Sequence, residues 1–399
     1  MVDLSADQTF AAGFPHEFFC ELRERPGLYW HEPTAQTPDG EGFWVATRYA
    51  DVAAIQRDHE RFSSQTGGGL RERGGTALKD ERAAGVSLNM TDEPRHRQMR
   101  ALLAHGFTPR AVAALRADLA RMLERMLDAI PEGAPFDVTG QFARELPLRG
   151  ICLVLGVPEA DQQQLMDWVD AGINEPSASI LAREPLTQLR RYAEDFVAER
   201  QARRGTDIFS EVVHARLAGG ERLSDRELVA FFTLLFPAGA ETTRSALGGA
   251  LLAFAEHPES FAQLKAEPAL RRSAVEEVVR WSSPSLYKRR TATVATTLAG
   301  TAIAAGEKVT LWEMSANRDR TVFDEPFRFA IDRWPNRHLG FGAGVHFCLG
   351  ASLARLELDL ALERLTARFK GVSLAAPVTW TPNNRLLGPR LLQLAFERA

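Results

Sequence analysis

The segment FGAGVHFCLG, residues 341–350, places one cysteine among several glycines, directly ahead of a helical pattern. Cys348 has only Cys20 and Cys152 as companions, too few and too scattered for a disulfide framework or a four-cysteine zinc site. A thiolate is a soft ligand that iron can use, and the pKa of a thiol falls at the N-terminus of a helix. The residues around Cys348 therefore decide its role.

The glycines on both sides of the cysteine suit a metal-bound thiolate. Gly342, Gly344 and Gly350 leave room for backbone N–H groups to turn toward the sulfur and for a flat macrocycle to approach. Such hydrogen bonds tune an iron–thiolate couple. Phe341 can shield the sulfur from water, and His346 can donate to a carboxylate of the same ligand. A buried free cysteine in a glycine-rich turn is the alternative, but F-G-x-G-x-H-x-C-x-G is long and rare by chance.

This pattern resembles the haem-thiolate signature of the cytochromes P450. The resemblance covers nearly the whole chain, from the early strands to LLGPRLLQL. It implies the triangular cytochrome P450 fold, mainly α with a small β region, as one domain over residues 1–399. It also implies haem b (iron protoporphyrin IX) as the cofactor, Cys348 as the metal ligand, and haem contacts from Phe341, Gly342 and Gly350.

A second stretch, FFTLLFPAGAETTRSALGG, places Glu241 and Thr242 inside a hydrophobic helix, where a carboxylate and a hydroxyl need partners or a task. Pro237 and Gly239 weaken the helical ladder, so we expect a local opening that admits water or dioxygen. A Pro-kinked core helix with a back-bonded threonine is the alternative. The stretch looks like the family's A-G-x-[DE]-T motif, which begins here at Ala238. That resemblance implies that Thr242 stabilises oxygen species at the iron and that Glu241 helps to relay protons.

A third stretch, TDEPRHRQMR, sets His96 and Arg100 four residues apart on one face of a helix. A basic surface helix is the default interpretation. The family, however, carries a very similar H-x-x-x-R that holds haem propionates. Arg290 in RRTAT matches the arginine that does the same from the β region, and Arg289 is the other choice of register. Together with His346, the resemblance implies four donors that anchor the porphyrin.

A fourth stretch, RRSAVEEVVRW, sets Glu277 and Arg280 three residues apart, where the two side chains can pair. Taken alone, an E-x-x-R is usually a solvated surface pair. The family has an E-x-x-R that pairs with an arginine of the irregular segment before the cysteine loop, and Arg333 matches that arginine. The resemblance therefore implies a structural triad that supports the haem-binding core.

The resemblance also implies an oxygen-dependent monooxygenase that hydroxylates a hydrophobic small molecule, with a steroid, a terpene or a branched lipid favoured. The predicted pocket is mostly apolar, with walls that include Leu234, Leu235, Leu286, Tyr287, Leu386 and Leu387. Two alternatives remain: a haem-thiolate enzyme that uses peroxide directly or rearranges an oxygenated substrate, and a haem-binding sensor without catalysis. Glu241 and Thr242 favour the monooxygenase, because peroxide-dependent members often lack this acid and alcohol.

The elements that position these residues follow from the hydrophobic periodicity. Helical patterns dominate about 94–282 and 338–369, while β alternation marks about 28–50, 284–310 and 371–398. A glycine- and charge-rich segment at roughly 63–90 is long for a compact domain, so we expect a lid or a binding loop there. No internal repeat or linker interrupts the chain, which predicts one large domain.

Composition limits the partners. With 399 residues, 45% of them hydrophobic, the chain can bury a large core, and its net charge of -4 with mixed signs provides no basic stripe for nucleic acid. No signal peptide and no membrane-spanning stretch are apparent, so we expect a cytoplasmic protein without a membrane anchor. No flavin or iron–sulfur module is apparent either. We therefore expect electrons from a separate ferredoxin or flavodoxin with its reductase, docked near Arg95, Arg97 or Arg110.

Overall fold

A computed structural model describes residues 2–174 and 183–399. Its helices, in chain order, are α1 (His16–Glu24), α2 (Tyr49–Arg57), α3 (Arg95–Ala104), α4 (Pro109–Ala113), α5 (Arg116–Asp128), α6 (Glu145–Leu155), α7 (Glu159–Asn174), α8 (Arg183–Ala202), α9 (Ile208–His214), α10 (Asp225–Glu256), α11 (Pro258–Ala266), α12 (Arg271–Ser282), α13 (Glu313–Ala316) and α14 (Ala351–Arg368). A π-helical turn, Thr139–Ala143, precedes α6. None of the helices in these ranges combines the length and the apolar character needed to cross a membrane.

The strands are short and form small sheets. In chain order they are β1 (Tyr29–His31), β2 (Phe43–Ala46), β3 (Phe62–Ser63), β4 (Phe136–Asp137), β5 (Lys288–Ala292), β6 (Thr296–Leu298), β7 (Thr301–Ile303), β8 (Lys308–Leu311), β9 (Phe369–Leu374), β10 (Thr379–Trp380), β11 (Pro389–Leu391) and β12 (Gln393–Arg398). The largest sheet has the order β1-β2-β8-β5-β3, with β2 and β8 parallel. A second sheet has the order β4-β12-β9, and β6–β7 and β10–β11 form two-stranded pairs.

Helix α10 is the centre of the helical layer and contacts α6, α8 and α12. It begins at a capping box, in which the Ser224 side chain accepts from the backbone N–H of Glu227 and the Glu227 side chain accepts in return. The helix continues through Pro237 and Gly239, so the predicted opening is not present as a break. A Cβ at Gly239 would lie 2.8 Å from Ile151 Cγ1, so this glycine allows α10 and α6 to approach closely.

The main core lies among the helices from α3 to α14, and two smaller hydrophobic clusters lie at the five-stranded sheet. The predicted fold class, mainly α with a small β region, is confirmed. The periodicity missed α1, and it missed β4 inside a stretch that otherwise reads as helical. Leu358, Leu362 and Leu365 of α14 are buried, and Phe369 begins β9 and packs against Phe396, with ring centroids 4.9 Å apart.

Candidate active site

The loop that carries Cys348 is shaped by glycine and by backbone hydrogen bonds. Gly344 has a φ of +70°, and a Cβ there would lie 2.3 Å from the backbone oxygen of Gln56 in α2, so no larger residue fits. Cys348 N donates to Phe341 O at 2.9 Å. The Gly350 N–H donates toward the Cys348 sulfur. The thiol is therefore held at the entrance to α14, as the sequence predicts.

Cys348 is exposed, whereas Cys152 is buried within α6. The protein around Cys348 nevertheless removes water from the thiol and raises its pKa, and this shift is opposed by the Gly350 N–H and by the charges of Lys288 and Arg100. The sulfur thus has an uncovered side together with cations nearby. Such a thiol is available to bind a ligand from the uncovered side.

The four predicted propionate donors lie close together. The rings of His96 and His346 have centroids 4.3 Å apart. Arg100 Nη2 donates to Phe347 O, next to Cys348 in the chain, at 2.7 Å. Burial, together with the charges of Arg290, His96 and Arg100, lowers the pKa of His346 to about 2. We call His96, Arg100, Arg290 and His346 the cation cluster, after its two arginines.

The cation cluster contains a buried nitrogen without a hydrogen-bond partner among the described residues. His96 is buried, its Nδ1 lies 3.3 Å from Glu93 Oε1, and its Nε2 has no hydrogen-bond partner among the described residues. Burial lowers the pKa of Arg290 to about 10 and also lowers the pKa of Arg100, whose shift is countered by the charge of Cys348. Buried cations and an unpartnered nitrogen match an anionic group that would sit beside the thiol.

Helix α10 presents an uncovered turn. Ala238 is exposed, although it lies in the middle of a helix that is otherwise largely buried. Thr242 Oγ1 donates to Ala238 O at 2.7 Å, which is the back-bond expected for a threonine inside a helix. Pro237 has no N–H, so it leaves the carbonyl of Thr233 without its helical partner. This turn of α10 can therefore contact a ligand and exchange hydrogen bonds with it.

Glu241 is nearly fully buried and belongs to a chain of charged side chains. Its Oε1 lies 3.2 Å from Arg244 Nη1, and Arg244 also binds Asp170. Asp170 accepts from Arg144 at 2.8 Å, and Arg144 in turn reaches Asp167, which is 59% exposed. Burial raises the pKa of Glu241 to about 7, and the charge of Arg244 opposes this shift. The chain links a buried acid to the protein surface.

The sequence interpretation missed the four other members of this chain: Arg244, Asp170, Arg144 and Asp167. Arg244 lies three residues after Glu241 in α10, so the helical spacing contained a signal for that contact. Asp170 lies in α7, and Arg144 lies between the π-helical turn and α6. No spacing rule connects residues on different helices, so packing alone brings Asp170 to Arg244 and Arg144 to Asp170.

The predicted structural triad is assembled by α12 and the irregular segment that follows α13. Both oxygens of Glu277 accept from Arg280 at 2.7 Å, and the Nε of Arg333 lies 3.3 Å from Glu277 Oε2. Ala330 N and Asn336 Nδ2 also donate to Glu277. Glu277 and Arg280 have no exposed surface, so the pair is not a solvated surface pair. It is a buried ion pair that holds this segment against α12.

The predicted pocket residues fall into two groups. Leu234 and Leu386 are partly exposed. The remaining four are buried: Leu235 in the main core, and Leu286, Tyr287 and Leu387 in a separate cluster that also contains Leu78. The structure therefore leaves two of the six side chains open to a ligand and covers the others with protein.

Comparisons with known proteins agree with this fold. A sequence profile described as cytochrome P450 matches residues 181–391. The Mycobacterium tuberculosis protein named cytochrome P450 126 is 46% identical over 98% of this chain and 96% of its own. The methyl-branched lipid omega-hydroxylase of Mycobacterium bovis is 37% identical over 88% of this chain and 83% of its own. A Mycobacterium marinum cytochrome P450 solved in complex with pseudoionone has a TM-score of 0.88 at 34% identity, covering 99% of this chain and 98% of that chain.

The mainly helical fold and these relatives define the class of protein, an oxidoreductase. The chain belongs to the cytochrome P450 family, which implies a haem cofactor. It is accordingly a cytochrome P450 monooxygenase.

Proposed function

We propose that this monooxygenase holds haem b through Cys348 and uses O2 with two electrons from a separate ferredoxin or flavodoxin and its reductase. Its product is a hydroxylated hydrophobic small molecule, with a steroid, a terpene or a branched lipid favoured. The observation that carries the proposal is the cation cluster with its unpartnered His96 Nε2 beside the uncovered thiol of Cys348. A flat dianionic ligand with a central metal suits that donor set.

The residues present fit such a cofactor. Cys348 would supply the thiolate, and the four members of the cation cluster would pair with the two propionates. Phe341, Gly342 and Gly350 would line the sulfur side of the ring, while Ala238 leaves room for it on α10. When bound, the haem supplies the activation of dioxygen and the transfer of one oxygen atom into a C–H bond.

We assign proton delivery to Glu241 and Thr242. With a pKa of about 7, Glu241 is partly protonated at neutral pH, so it can both donate a proton and take up another. The contact with Arg244, and through it with Asp170, orients the carboxyl group and leads to the surface. The hydroxyl of Thr242, now bonded to Ala238 O, can rotate toward a ligand and present its proton at Oγ1.

For the electron-transfer partner we propose docking at Arg97 and Arg110. Both are exposed, and Arg97 lies one turn before Arg100, which contacts the cysteine loop. Arg95 is removed from the predicted docking set, because two carboxylates hold its guanidinium at 2.6 Å each. Exposed arginines near the thiol would steer an acidic partner to the side from which electrons must arrive.

The substrate class is supported by chemistry and by similarity. The uncovered side chains Leu234 and Leu386 are apolar, and apolar walls select a ligand by size and shape. One relative is named a methyl-branched lipid omega-hydroxylase, and one solved neighbour holds pseudoionone. We therefore favour a methyl-branched fatty acid as the first substrate to test, followed by a terpenoid and a steroid.

A reconstituted assay tests the proposal. The purified protein, loaded with haem, is incubated with NADPH, a ferredoxin, a ferredoxin reductase and each candidate substrate under labelled dioxygen. We expect a product that carries one labelled oxygen atom, detected by mass spectrometry, and no product when the reductase is left out. Product with peroxide alone would favour the peroxide-dependent alternative. A haem spectrum without product for any substrate would favour the sensor.

A further inference from the structure

The segment predicted as a lid or binding loop is a closed loop beside the candidate site. We call residues 64–90 the 64–90 loop. Its ends meet at Asp92, whose carboxylate accepts from Ser63 Oγ and from Ser64 N, the latter at 2.8 Å. Ser64 Oγ lies 3.0 Å from His346 Nε2. The loop therefore starts in contact with the cation cluster.

Within the loop, Asp80 faces cations of the main sheet. Its carboxylate lies 3.1 Å from Arg289 Nη2 of β5 and 3.9 Å from Lys308 Nζ of β8, and it binds Arg71 of the loop itself at 2.6 Å. Glu41 completes the network at 2.7 Å from both Lys308 and Arg71. Arg289 and Lys308 are almost fully buried. Lys308 also lies 3.6 Å from Asp39, so Arg289 is the cation that depends more on Asp80 for charge balance.

The same two cations also hold the backbone of the loop. Arg289 donates from its backbone N to Thr76 O and from its Nε to Ala77 O, both at 2.8 Å. Lys308 Nζ donates to Leu78 O at 2.8 Å. Residues of the sheet thus donate hydrogen bonds to three consecutive carbonyl groups of the loop, which lie directly before Asp80 in the chain. Movement of this part of the loop would break these bonds together.

The held part of the loop covers predicted pocket residues. Leu78 is buried in one cluster with Leu286, Tyr287 and Leu387, and its N–H donates to the Tyr287 hydroxyl at 3.3 Å. These three pocket residues are buried because protein, including Leu78, lies over them. Displacement of the 64–90 loop would uncover them and enlarge the space available to a ligand.

We propose that Asp80 is a positioning residue that sets the size of molecule the enzyme accepts. It keeps the 64–90 loop on the sheet, because lifting the loop would leave Arg289 as a buried cation without its carboxylate partner. The loop then acts as a fixed wall over Leu286, Tyr287 and Leu387. The proposal deepens the proposed function and rests on it.

The test uses the haem-loaded enzyme with Asp80→Asn, which keeps the shape of the side chain and removes its charge. Two azoles that bind haem iron through nitrogen serve as probes, 4-phenylimidazole as the small one and clotrimazole as the bulky one. We expect the ratio of the clotrimazole Kd to the 4-phenylimidazole Kd to fall by at least about fivefold. Hydrogen exchange of residues 65–90 should rise, and Asp80→Glu should restore both properties.

Asp118→Asn, which removes an exposed ion pair with Arg121 on α5, is the matched control and should change neither measurement. If Asp80→Asn does not fold, Arg71→Gln loosens the same network from its exposed side and should move the ratio in the same direction. An unchanged Kd ratio, or unchanged exchange in the loop, would overturn the proposal. The exchange measurement can also be made without haem, so failure of the proposed function remains separate from failure of this inference.

Discussion

Two buried charged clusters of this protein differ in how their polar atoms are satisfied. In the triad, both oxygens of Glu277 and every nitrogen of the Arg280 guanidinium have partners within the protein. In the cation cluster, His96 Nε2 has no partner among the described residues, and neighbouring positive charges lower the pKa of His346. The Glu277–Arg280 pair is therefore complete without a ligand. The cation cluster retains an unpaired nitrogen, which under our proposal an anionic group of the haem would contact.

The difference separates structural residues from ligand-binding ones. A buried charge that the protein itself pairs contributes to holding two segments together, whereas a buried charge that faces other cations lowers stability until a ligand arrives. One pair of each cluster is visible in the sequence as a short spacing, Glu277 with Arg280 and His96 with Arg100. Only their partners in the fold show which of the two is structural.

Replacing the thiol gives the largest expected effect. We expect Cys348→Ala to abolish the red-shifted Soret band of the reduced carbon monoxide complex and all turnover, because that band requires a thiolate on the iron. Visible spectroscopy measures the band, and circular dichroism checks that the variant keeps its helices. Cys152→Ala is the matched control and should retain the band. A persistent band in Cys348→Ala would refute the assigned ligand.

Removing the carboxylate of the triad gives the next largest expected effect. Glu277→Gln leaves Arg280 and Arg333 as buried cations without a carboxylate, and we expect the free energy of unfolding to fall by about 3–5 kcal/mol. Urea unfolding should show this loss both with and without haem, because the triad does not need a ligand. If stability fell only in the haem-loaded protein, the triad would depend on the ligand. The distinction between the two clusters would then be wrong.

Glu241 should make the stability of the protein depend on pH. Its pKa is about 7 in the folded protein against 4.5 for an ordinary glutamate, so the folded state holds a proton that the unfolded chain releases. The stability linked to Glu241 is therefore present at low pH and is lost as the pH rises from 4.5 to 7, by about 3 kcal/mol in total. Glu241→Gln cannot ionise, so its stability relative to the wild type should rise over this range.

Urea unfolding of the two proteins at several pH values measures that relative stability. A constant difference between pH 5 and 8 would show that the carboxyl group titrates normally. The same variant should also reduce turnover by about 10²-fold if Glu241 delivers protons. Its haem spectrum should not change, since Glu241 is not a member of the cation cluster.

Removing one member of the cation cluster should not destabilise the haem-free protein, in contrast to Glu277→Gln. We expect Arg290→Met to weaken haem binding by about 10–100-fold, through the loss of a charge-assisted hydrogen bond. The haem-free protein should be at least as stable as the wild type, because a buried cation has been removed. Transfer of haem to apomyoglobin measures retention, and urea unfolding measures stability. Destabilisation of the haem-free protein would contradict the distinction between the two clusters.

The smallest effect is expected at the surface. Arg97 is 78% exposed, and we expect Arg97→Glu to slow reduction by ferredoxin about three- to tenfold at low salt and less at high salt. Stopped-flow spectroscopy measures the rate. Arg121→Glu, a charge reversal at an exposed arginine of α5, is the control and should leave the rate unchanged. Equal rates for Arg97→Glu and the wild type would exclude this docking surface.

Much of the fold and of the site could be predicted from the sequence, and the failures have physical reasons. The long apolar pattern of α10 and the glycine loop before α14 are local, so spacing and residue type were sufficient. The short β4 lies within helical sequence and pairs with the distant β12, which no local pattern reports. Leu286 and Tyr287 have the apolar character of pocket walls, but the 64–90 loop covers them in the fold.

The sequence by itself determined the residues that can bind metal and anions and those that share a helical turn: Cys348 among its glycines, Glu277 with Arg280, and His96 with Arg100. The family resemblance, and not spacing, indicated that His346 and Arg290 join His96. Tertiary structure alone decided that Asp170 reaches Arg244 and that Asp80 holds the 64–90 loop. The reason is geometric. Spacing along a helix constrains contacts over one turn, whereas a contact between distant segments depends on how their apolar faces pack.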